Sequence, residues 1–538
     1  MDLETVYPVT RAILGEREWV GTIGGPGAGT GPETYPRRLA RKTSSGSIPP
    51  YLSDLAALEW AVHATGAKTG AATPEAEETI LNPTLSLVTV RWKHLVDLLE
   101  SGGKSAREPE AGEEHVLVWG MPLTGKICLS AATEEDLLVL KMVEDRIEAG
   151  TVATLGGLPI RAVYDALDRA GAKGLIISPP TRITREATFM ADGTRAYMGA
   201  HVFTLQWHLT QRCDLACRHC YDRTDRQELP LERSLGILDD LGRFCETKHV
   251  RGAVTFTGGN PLLYPPFAAL YKAAVDHGFA VAILGNPTER AVLEELLDGA
   301  KPDFFQVSLE GLEAHNDRMR GPGHFRRTLA FLEVLRDLGI YSMVMLTLTE
   351  GNLKEVLPLA RLLQGKADVF HFNRLSRSGM GADLNLPTEE EYRSFLNEYI
   401  AASKENPVMG LKDNLFNLVL AEGGEAPFGG CTGNGCGAAF NFVTLLSDGE
   451  VHACRKFPSP LGNILQASLK AIYDSEAASK YRRRPGKCLQ CALRCVCGGC
   501  LAVIQTHGLD ISRDRDPFCA HILITRTGSG RGASFQLS

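Results

Sequence analysis

Three cysteines lie close together in the segment 207–221, at Cys213, Cys217 and Cys220. Three thiolates on one short loop suit a cubic [4Fe–4S] cluster, which normally takes four protein ligands. With only three, one iron lacks a protein ligand and is free to bind a small molecule. The alternative is a structural zinc site or a set of unrelated cysteines, and zinc sites usually combine C-x2-C pairs with a fourth ligand nearby.

A second group of cysteines occupies the C-terminal part of the chain. Its members are Cys431, Cys436, Cys454, Cys488, Cys491, Cys495, Cys497, Cys500 and Cys519. The stretch 443–454 predicts a hairpin that turns at Gly449, which would bring Cys436 close to Cys454. Zinc is an alternative here as well, because C-x2-C pairs also form zinc ribbons.

The composition is that of an ordinary globular protein with more than one domain. The 538 residues are 44% hydrophobic and 22% charged, and the net charge of -7 gives no indication of nucleic-acid binding. No secretory signal is evident at the start, and no apolar run is long enough to span a bilayer. Only Cys128 and Cys245 lie outside the two cysteine groups, a distribution that favours metal binding in a reducing cytoplasm over disulfides.

The elements that must position the first cysteine group lie between residues 200 and 400. Apolar runs predict strands at 203–209, 253–257, 280–284, 304–309, 343–348 and 369–373, with helices at 231–246, 266–277, 288–297 and 325–338. Strands that alternate with helices predict a parallel sheet of the α/β class. The chemistry of such barrels lies at the carboxyl ends of the strands, and the cysteine loop directly follows the first strand.

Glycines and polar residues follow the second and fourth strands. Gly258 and Gly259 are followed by Asn260, and glycines there let backbone atoms approach a ligand without an intervening Cβ. Ser308 and Glu310 end the fourth strand, and a hydroxyl beside a carboxylate suits a ribose diol.

The cysteine spacing and these motifs together resemble the signature of the radical S-adenosylmethionine (SAM) superfamily. The resemblance implies a partial (β/α)6 barrel in which the open iron chelates the amino and carboxylate groups of SAM. The implied SAM contacts are His219 and Tyr221 for the adenine, Gly258, Gly259 and Asn260 for the amino group, Ser308 and Glu310 for the ribose, and Arg320, rather than Arg318, for the carboxylate. Asn260 departs from the family, which has Glu there, so the position keeps an acceptor and loses the charge.

The C-terminal cysteines resemble the SPASM extension of this superfamily, which binds two auxiliary [4Fe–4S] clusters. Carried over residue by residue, one cluster takes Cys431, Cys436, Cys454 and Cys500, and the other takes Cys488, Cys491, Cys497 and Cys519. The family has three residues before the fourth cysteine of the middle group where this chain has two, and Cys495 competes for the assignment. Arg455 stands where some SPASM enzymes carry an acidic base, which argues against sulfatase-maturing chemistry. No role follows for Cys128 or Cys245.

The first two hundred residues predict two small modules. Residues 1–75 predict a mainly helical module, and residues 76–180 a winged-helix-like module with helices at 134–149 and 159–170. Winged helices bind DNA in many proteins, but the balanced charge of 160–169 weighs against DNA. In peptide-modifying enzymes a similar module takes the leader peptide as an added strand. A plain packing role is the remaining alternative.

The sequence therefore predicts a chain of four parts. They are a helical module at 1–75, a winged-helix-like peptide-recognition module at 76–180, a radical SAM core at 200–400 and a SPASM domain at 401–538.

The layout of the whole chain resembles radical SAM/SPASM peptide maturases, and among them the maturases of cysteine- or selenocysteine-rich "selenobiotic" peptides. The resemblance implies an oxidoreductase that cleaves SAM reductively to a 5′-deoxyadenosyl radical, with a flavodoxin or ferredoxin as electron donor. The expected product is a precursor peptide with a thioether-type or related crosslink at cysteine or selenocysteine. The sequence indicates no catalytic base.

Three other functions stay open on the sequence. A SPASM dehydrogenase or epimerase would act on another peptide or a small molecule. An iron–sulfur electron carrier would not explain Gly258-Gly259 or the pair Ser308 and Glu310. A DNA-binding regulator would use the N-terminal modules, with the clusters as sensors.

Overall fold

The computed structural model describes residues 2–23, 31–43, 46–69, 76–105, 107–158, 160–185, 197–297 and 301–519, with two short strands beyond. Contacts between residues divide the chain into two compact units, Met1–Pro180 and Thr181–Ser538. All 14 cysteines lie within the described ranges. Within the described ranges no helix has both the length and the apolar character needed to cross a membrane.

The first unit combines helices with a three-stranded antiparallel sheet. Its helices are α1 (Leu3–Val6), α2 (Pro8–Ile23), α3 (Tyr35–Thr43), α4 (Leu52–Lys68), α5 (Leu95–Glu100), α6 (Glu134–Glu144), α7 (Ala149–Gly156) and α8 (Ile160–Lys173). Its strands are β1 (Ile80–Leu81), β2 (Ser86–Lys93), β3 (Glu110–Gly120), β4 (Ile127–Ala131) and β5 (Ile176–Ile177). The sheet order is β2-β3-β4, and β1 pairs with β5.

One hydrophobic core joins α4 to the sheet. Leu52 and Leu55 of α4 are fully buried in the same cluster as Val90 of β2 and Val116 of β3. The division at residue 75 stays a prediction.

The helix predicted over 134–149 is wrong in length. It ends at Glu144, Arg146 adopts a left-handed φ of 56°, and a separate helix, α7, follows where the sequence predicted only a connection. Residues 149–156 are rich in glycine and threonine, which are weak helix formers. Val152 and Ala153 are nevertheless buried, so burial of these side chains outweighs the low propensity.

The second unit is built on a nine-stranded sheet that contains six consecutive parallel strands. These are β6 (Val202–Thr210), β7 (Arg251–Gly258), β8 (Ala280–Leu284), β9 (Phe304–Ser308), β10 (Ser342–Leu348) and β11 (Val369–Arg374). Neighbours in the sheet follow the order of the chain, and each pair is parallel. The predicted partial (β/α)6 barrel is confirmed, with every predicted strand within two residues of the observed one.

Helices cover this barrel. They are α9 (Leu231–Lys248), α10 (Phe267–Asp276), α11 (Arg290–Leu297), α12 (Glu313–Arg320), α13 (His324–Asp337), α14 (Val356–Leu363) and α15 (Glu389–Ser403). Phe244 of α9 and Phe331 of α13 are buried with strand residues such as Phe203 and Phe305 in one core.

The cysteine-rich C-terminal part extends the same sheet. The elements are α16 (Phe416–Glu422), β12 (Phe442–Leu445), β13 (Glu450–His452), β14 (Pro460–Asn463), α17 (Leu469–Asp474), α18 (Glu476–Arg482), α19 (Leu501–Thr506), β15 (Thr525–Arg526) and β16 (Phe535–Gln536). Strand β12 pairs with β6 in parallel and with β13 antiparallel. The predicted hairpin is confirmed, and Gly449 supplies the positive φ of 88° in its turn.

Candidate active site

The loop after β6 holds the three cysteines against the carboxyl ends of the barrel strands. The Arg218 amide donates to the Met319 carbonyl of α12 at 2.9 Å, and the Met380 amide donates to the Cys220 carbonyl at 2.8 Å. A Cβ at Gly379 would overlap the Cys220 carbonyl oxygen at 2.6 Å. The loop is therefore fixed by residues beyond β9 and β11, in addition to its own strand.

A cavity of about 470 Å³ opens beside this loop. Its walls contain all three cysteines and most of the predicted SAM contacts, namely Cys213, Cys217, Cys220, His219, Tyr221, Gly258, Gly259, Ser308 and Arg320. Asn260 and Glu310 lie behind the wall and are both buried. The structure thus brings together residues from three separate strand ends, those of β6, β7 and β9, around one space.

Arg320 is oriented by Glu310. Its Nε and Nη2 donate to Glu310 Oε1 at 2.9 and 2.6 Å, and His219 Nε2 lies 3.2 Å from the same oxygen. The Thr347 amide of β10 donates to Glu310 Oε2 at 2.8 Å. Burial alone would raise the pKa of Glu310, but His219 and Arg320 outweigh it, and that pKa lies well below its usual range. Glu310 is therefore ionised, and its ribose role stays a prediction.

The glycines after β7 are required by close backbone contacts. A Cβ at Gly258, whose φ is 139°, would overlap the Thr210 backbone, and one at Gly259 would overlap the Arg212 backbone. The side-chain amide of Asn260 donates to Asp214 Oδ1 at 3.1 Å. Asn260 therefore fixes Asp214, the residue next to Cys213. Its contact with SAM stays a prediction.

Asn286 was missed by the sequence reasoning. Its amide lies 3.6 Å from Cys213 Sγ and 2.7 Å from Asp214 Oδ1. It stands two residues beyond β8, so its position as a polar residue after the third strand could have identified it.

A second pair of polar groups flanks the loop. The Tyr221 hydroxyl lies 3.1 Å from His208 Nε2, and the Arg455 guanidinium lies over the Tyr221 ring, 5.8 Å from its centroid. Burial lowers the pKa of His208 to about 3, and Arg455 adds to that shift. Burial likewise raises the pKa of Tyr221 to about 12. Both groups are therefore neutral near pH 7, and Arg455 supplies the charge on this wall.

The three loop cysteines fit a cluster that takes three protein thiolates. Asn286 and Arg320 direct donors at sulfur, with the Arg320 Nη1 to Cys217 Sγ distance at 3.7 Å. Burial raises the pKa of Cys217, and Arg320 opposes that rise; a bound metal replaces the thiol proton. Across the described ranges no three His, Cys, Asp or Glu side chains are arranged around one metal ion, whereas each thiolate of a [4Fe–4S] cluster binds a different iron.

The C-terminal thiols divide into two neighbourhoods. Burial raises the pKa of Cys454 to about 12, and the nearby thiols of Cys500 and Cys436 add to that rise. Burial also raises the pKa of Cys497 well above its usual value, and its neighbouring thiols are those of Cys491, Cys519 and Cys488. These neighbours include three members of the first predicted ligand set, which lacks only Cys431 here, and all four members of the second. Both sets stay predictions.

A buried ion-pair network links the barrel to these cysteines. Arg374, at the end of β11, donates to Asp413 at 2.8 Å and to both oxygens of Asp516 at 2.7 Å. Asp516 in turn accepts from the Cys500 amide at 2.8 Å. The last barrel strand therefore positions a predicted cluster ligand.

Comparison with known proteins decides the family. The model of the radical SAM superfamily matches residues 207–363, and that of the iron-sulfur cluster-binding domain named SPASM matches residues 436–496. The chain is 30% identical over 336 residues to the mycofactocin maturase MftC of Mycolicibacterium smegmatis, covering 59% of this chain and 82% of that protein. The chain belongs to the radical SAM superfamily. It carries a SPASM domain.

The names of other relatives of this radical SAM protein indicate different activities. It is 26% identical to an AdoMet-dependent heme synthase of Methanosarcina barkeri, over 59% of this chain and 96% of that one. It is also 26% identical to the subtilosin biosynthesis protein AlbA of Bacillus subtilis, over 56% and 68%. The crystal structure of Streptococcus suis SuiB bound to precursor peptide SuiA aligns over 76% of this chain and 96% of that chain, with 17% identity and a TM-score of 0.50. That likeness shows the fold alone.

Membership of the family establishes the cofactors. A radical SAM protein with a SPASM domain binds SAM and a [4Fe–4S] cluster in the barrel and auxiliary iron–sulfur clusters in the C-terminal domain. Which cysteine ligates which cluster rests on the neighbourhoods described above.

Proposed function

We propose that the chain is a maturase that modifies a ribosomally made peptide. The observation that carries the peptide assignment is the sheet of the first unit. In the described part of the chain β4 pairs only with β3, so its other edge has no strand partner there and could pair with an added strand. An extended peptide that joins such an edge gains main-chain hydrogen bonds along its length.

The charges of the first unit favour a peptide over DNA. On α8, Arg169 pairs with Glu135 at 2.7 Å, Arg161 lies 3.6 Å from Asp165, and Lys173 pairs with Asp136 at 2.6 Å. Helices that enter the DNA groove present cations to phosphates, whereas these cations are already paired with carboxylates.

The names of the relatives also support a peptide substrate. The chain is similar to the maturase MftC and to AlbA, a protein of bacteriocin biosynthesis. The heme synthases among the relatives keep a small-molecule substrate as the second candidate.

The chain's own residues bind and orient the reactants. When bound, the cluster and SAM supply a 5′-deoxyadenosyl radical that removes a hydrogen atom from carbon. Cys213, Cys217 and Cys220 would hold that cluster. Arg320, fixed by Glu310, would pair with the SAM carboxylate through two parallel donors.

The finer outcome that we propose is a bond between a cysteine or selenocysteine sulfur or selenium and a carbon. A thioether forms when one hydrogen atom leaves the carbon, one proton leaves the thiol and one electron is removed. An auxiliary cluster, when bound, would supply the acceptor for that electron. A flavodoxin or ferredoxin would return electrons to the barrel cluster. The selenobiotic-type subgroup remains part of this proposal.

Anaerobic reaction with a cysteine-rich peptide encoded beside this chain tests the proposal. We expect release of 5′-deoxyadenosine and a peptide that has lost two hydrogen atoms and one thiol reactive toward iodoacetamide. Mass spectrometry before and after alkylation measures both changes.

The alternatives give different results in the same reaction. Loss of two hydrogens with every thiol still reactive would indicate a dehydrogenase, and an unchanged mass with deuterium uptake from solvent would indicate an epimerase. Release of 5′-deoxyadenosine with no change in any such peptide would contradict peptide maturation. Binding of the full chain to duplex DNA at low salt in a gel shift would favour the regulator.

A further inference from the structure

Two arginines beside the C-terminal cysteines are buried and have no carboxylate partner among the described residues. Arg185 donates to the carbonyls of Asn434 at 2.9 Å and Cys436 at 2.8 Å, and its guanidinium lies 3.7 Å from the centroid of the Phe440 ring. Arg484 donates to the same two carbonyls at 3.1 and 3.3 Å. In both residues Nε is buried and has no hydrogen-bond partner. Carbonyl dipoles satisfy some donors but do not neutralise the charge.

Arg374, another buried arginine, has a different environment. Arg374 is 1% exposed and is paired with two carboxylates, Asp413 and Asp516. Removing an unpaired charge from water costs several kcal/mol. For Arg185 and Arg484, no ion pair with an Asp or Glu is present among the described residues. Burial lowers the pKa of both, and the two guanidinium groups also repel each other.

The charges that could balance them are thiolates. The thiols that act on Arg484 are those of Cys436, Cys497, Cys488 and Cys495, and a thiol that binds metal loses its proton. Cys436 belongs to one predicted ligand set, and Cys488 and Cys497 belong to the other. Arg484 therefore lies next to both sets at once.

The backbone is shaped around this side chain. A Cβ at Gly435, which has a φ of 71°, would lie 2.6 Å from Arg484 Nη2, and one at Gly498, with a φ of 73°, would overlap its Nη1. Gly435 precedes Cys436, and Gly498 follows Cys497. Arg484 thus passes between the ligand loops of both predicted clusters, in a space that only glycines leave open.

We propose that Arg484, supported by Arg185, is the shared counter-ion of the two auxiliary clusters and raises their reduction potentials. One-electron reduction adds one negative charge to a cluster, and a fixed cation beside the thiolates stabilises the reduced form. Easier reduction suits a cluster that accepts an electron from a substrate radical. The inference rests on the SPASM part of the proposed function and is independent of the peptide.

Redox titration of the full-length chain tests this proposal. Replacing Cys213, Cys217 and Cys220 with alanine leaves only the auxiliary clusters, whose reduction is followed by electron paramagnetic resonance. In this background we expect Arg484→Gln to lower the ratio of reduced to oxidised cluster about tenfold at a fixed potential, which is about 59 mV for one electron. In Arg484→Lys, which keeps the charge, the midpoint potential should shift by less than half as much.

Arg483→Gln is the matched control. Arg483 is exposed and pairs with Glu476 at 2.6 Å, so its loss should leave both midpoints unchanged. Arg484→Gln with full iron and unchanged midpoints would overturn the proposal.

A variant that fails to bind the auxiliary iron also tests the proposal. If Arg484→Gln fails to load iron while Arg484→Lys loads normally, the cluster requires the charge and the proposal stands. If neither Arg484 variant binds iron, the iron content of Arg185→Gln is compared with that of Arg185→Lys in the same way. Failure of all four variants to load would mean that the arginines serve only the fold, and would overturn the proposal. A background chain without auxiliary iron would refute the SPASM ligand assignment itself, a different outcome.

Discussion

The two cysteine regions differ in how they meet solvent and charge. Cys213 is exposed, and its loop lines an open cavity with Arg320. In the C-terminal domain Cys497 is 7% exposed, and Cys454 and Cys500 pack against the main hydrophobic core. A site that must admit SAM and a substrate needs space beside its cluster, whereas a cluster that only exchanges electrons is better enclosed. The difference indicates that the first region is the one built to hold its cluster against the reactants.

The largest effect is expected at the open site. Cys217→Ala removes one of only three thiolates, so release of 5′-deoxyadenosine should fall to background while the auxiliary clusters remain. Bound iron should fall from about twelve to about eight atoms per chain. Chromatography of the products after dithionite addition measures the loss.

Cys128→Ser is the control for that variant, because Cys128 lies on β4 in the first unit. It should keep both iron and activity. Persistent SAM cleavage by Cys217→Ala would end the assignment of the open cluster to this loop.

The enclosed site is tested by two neighbouring cysteines. Cys497→Ala should remove one auxiliary cluster, about four irons, while Cys495→Ala should keep all of them. SAM cleavage should survive in both variants, because neither residue lines the cavity. Equal iron loss in the two variants, or loss only in Cys495→Ala, would reverse the assignment.

A smaller effect is expected when Glu310 is replaced. Glu310→Gln keeps the size of the side chain but removes the charge that fixes Arg320, so the Kd for SAM should rise about tenfold, or ~1.4 kcal/mol. Equilibrium dialysis with the reconstituted protein measures it. Glu313→Gln breaks only the Glu313–Arg326 pair, in which Arg326 is exposed, and should leave the Kd unchanged. An unchanged Kd in both would show that Arg320 is held without Glu310.

The last effect concerns pH and stability, and it does not involve either cluster. His208 has an ordinary pKa of 6.5 when unfolded and about 3 when folded, so below pH 6.5 the unfolded state binds the additional proton. The free energy of unfolding should therefore fall by about 1.4 kcal/mol per pH unit from pH 6.5 toward pH 3. Urea unfolding of the native chain and of His208→Gln at pH 7.5 and 5.5 measures the difference. If the difference in unfolding free energy between the two proteins is the same at both pH values, the lowered pKa of His208 is contradicted.

The sequence predicted the barrel strands well because their apolar runs are long and regularly alternate with helices. It failed at α7, where buried Val152 and Ala153 stabilise a helix that local propensity disfavours. At the site, spacing identified the cysteines and glycines, since both kinds of residue act through local geometry. Asn286 was missed because its contact with Cys213 spans 73 residues.

By itself the sequence determined which chemistry the chain can perform. Cysteine spacing is a local property, and three thiolates on one short loop suit an iron–sulfur cluster with an open iron. Only the tertiary structure decided which charges are paired. Arg374 pairs with Asp516 across 142 residues, and Arg185 contacts the Cys436 carbonyl across 251, with no carboxylate partner in the described part of the chain. Ion pairing depends on distances that the folded chain sets, so the open and enclosed cluster sites became distinguishable only once the chain was folded.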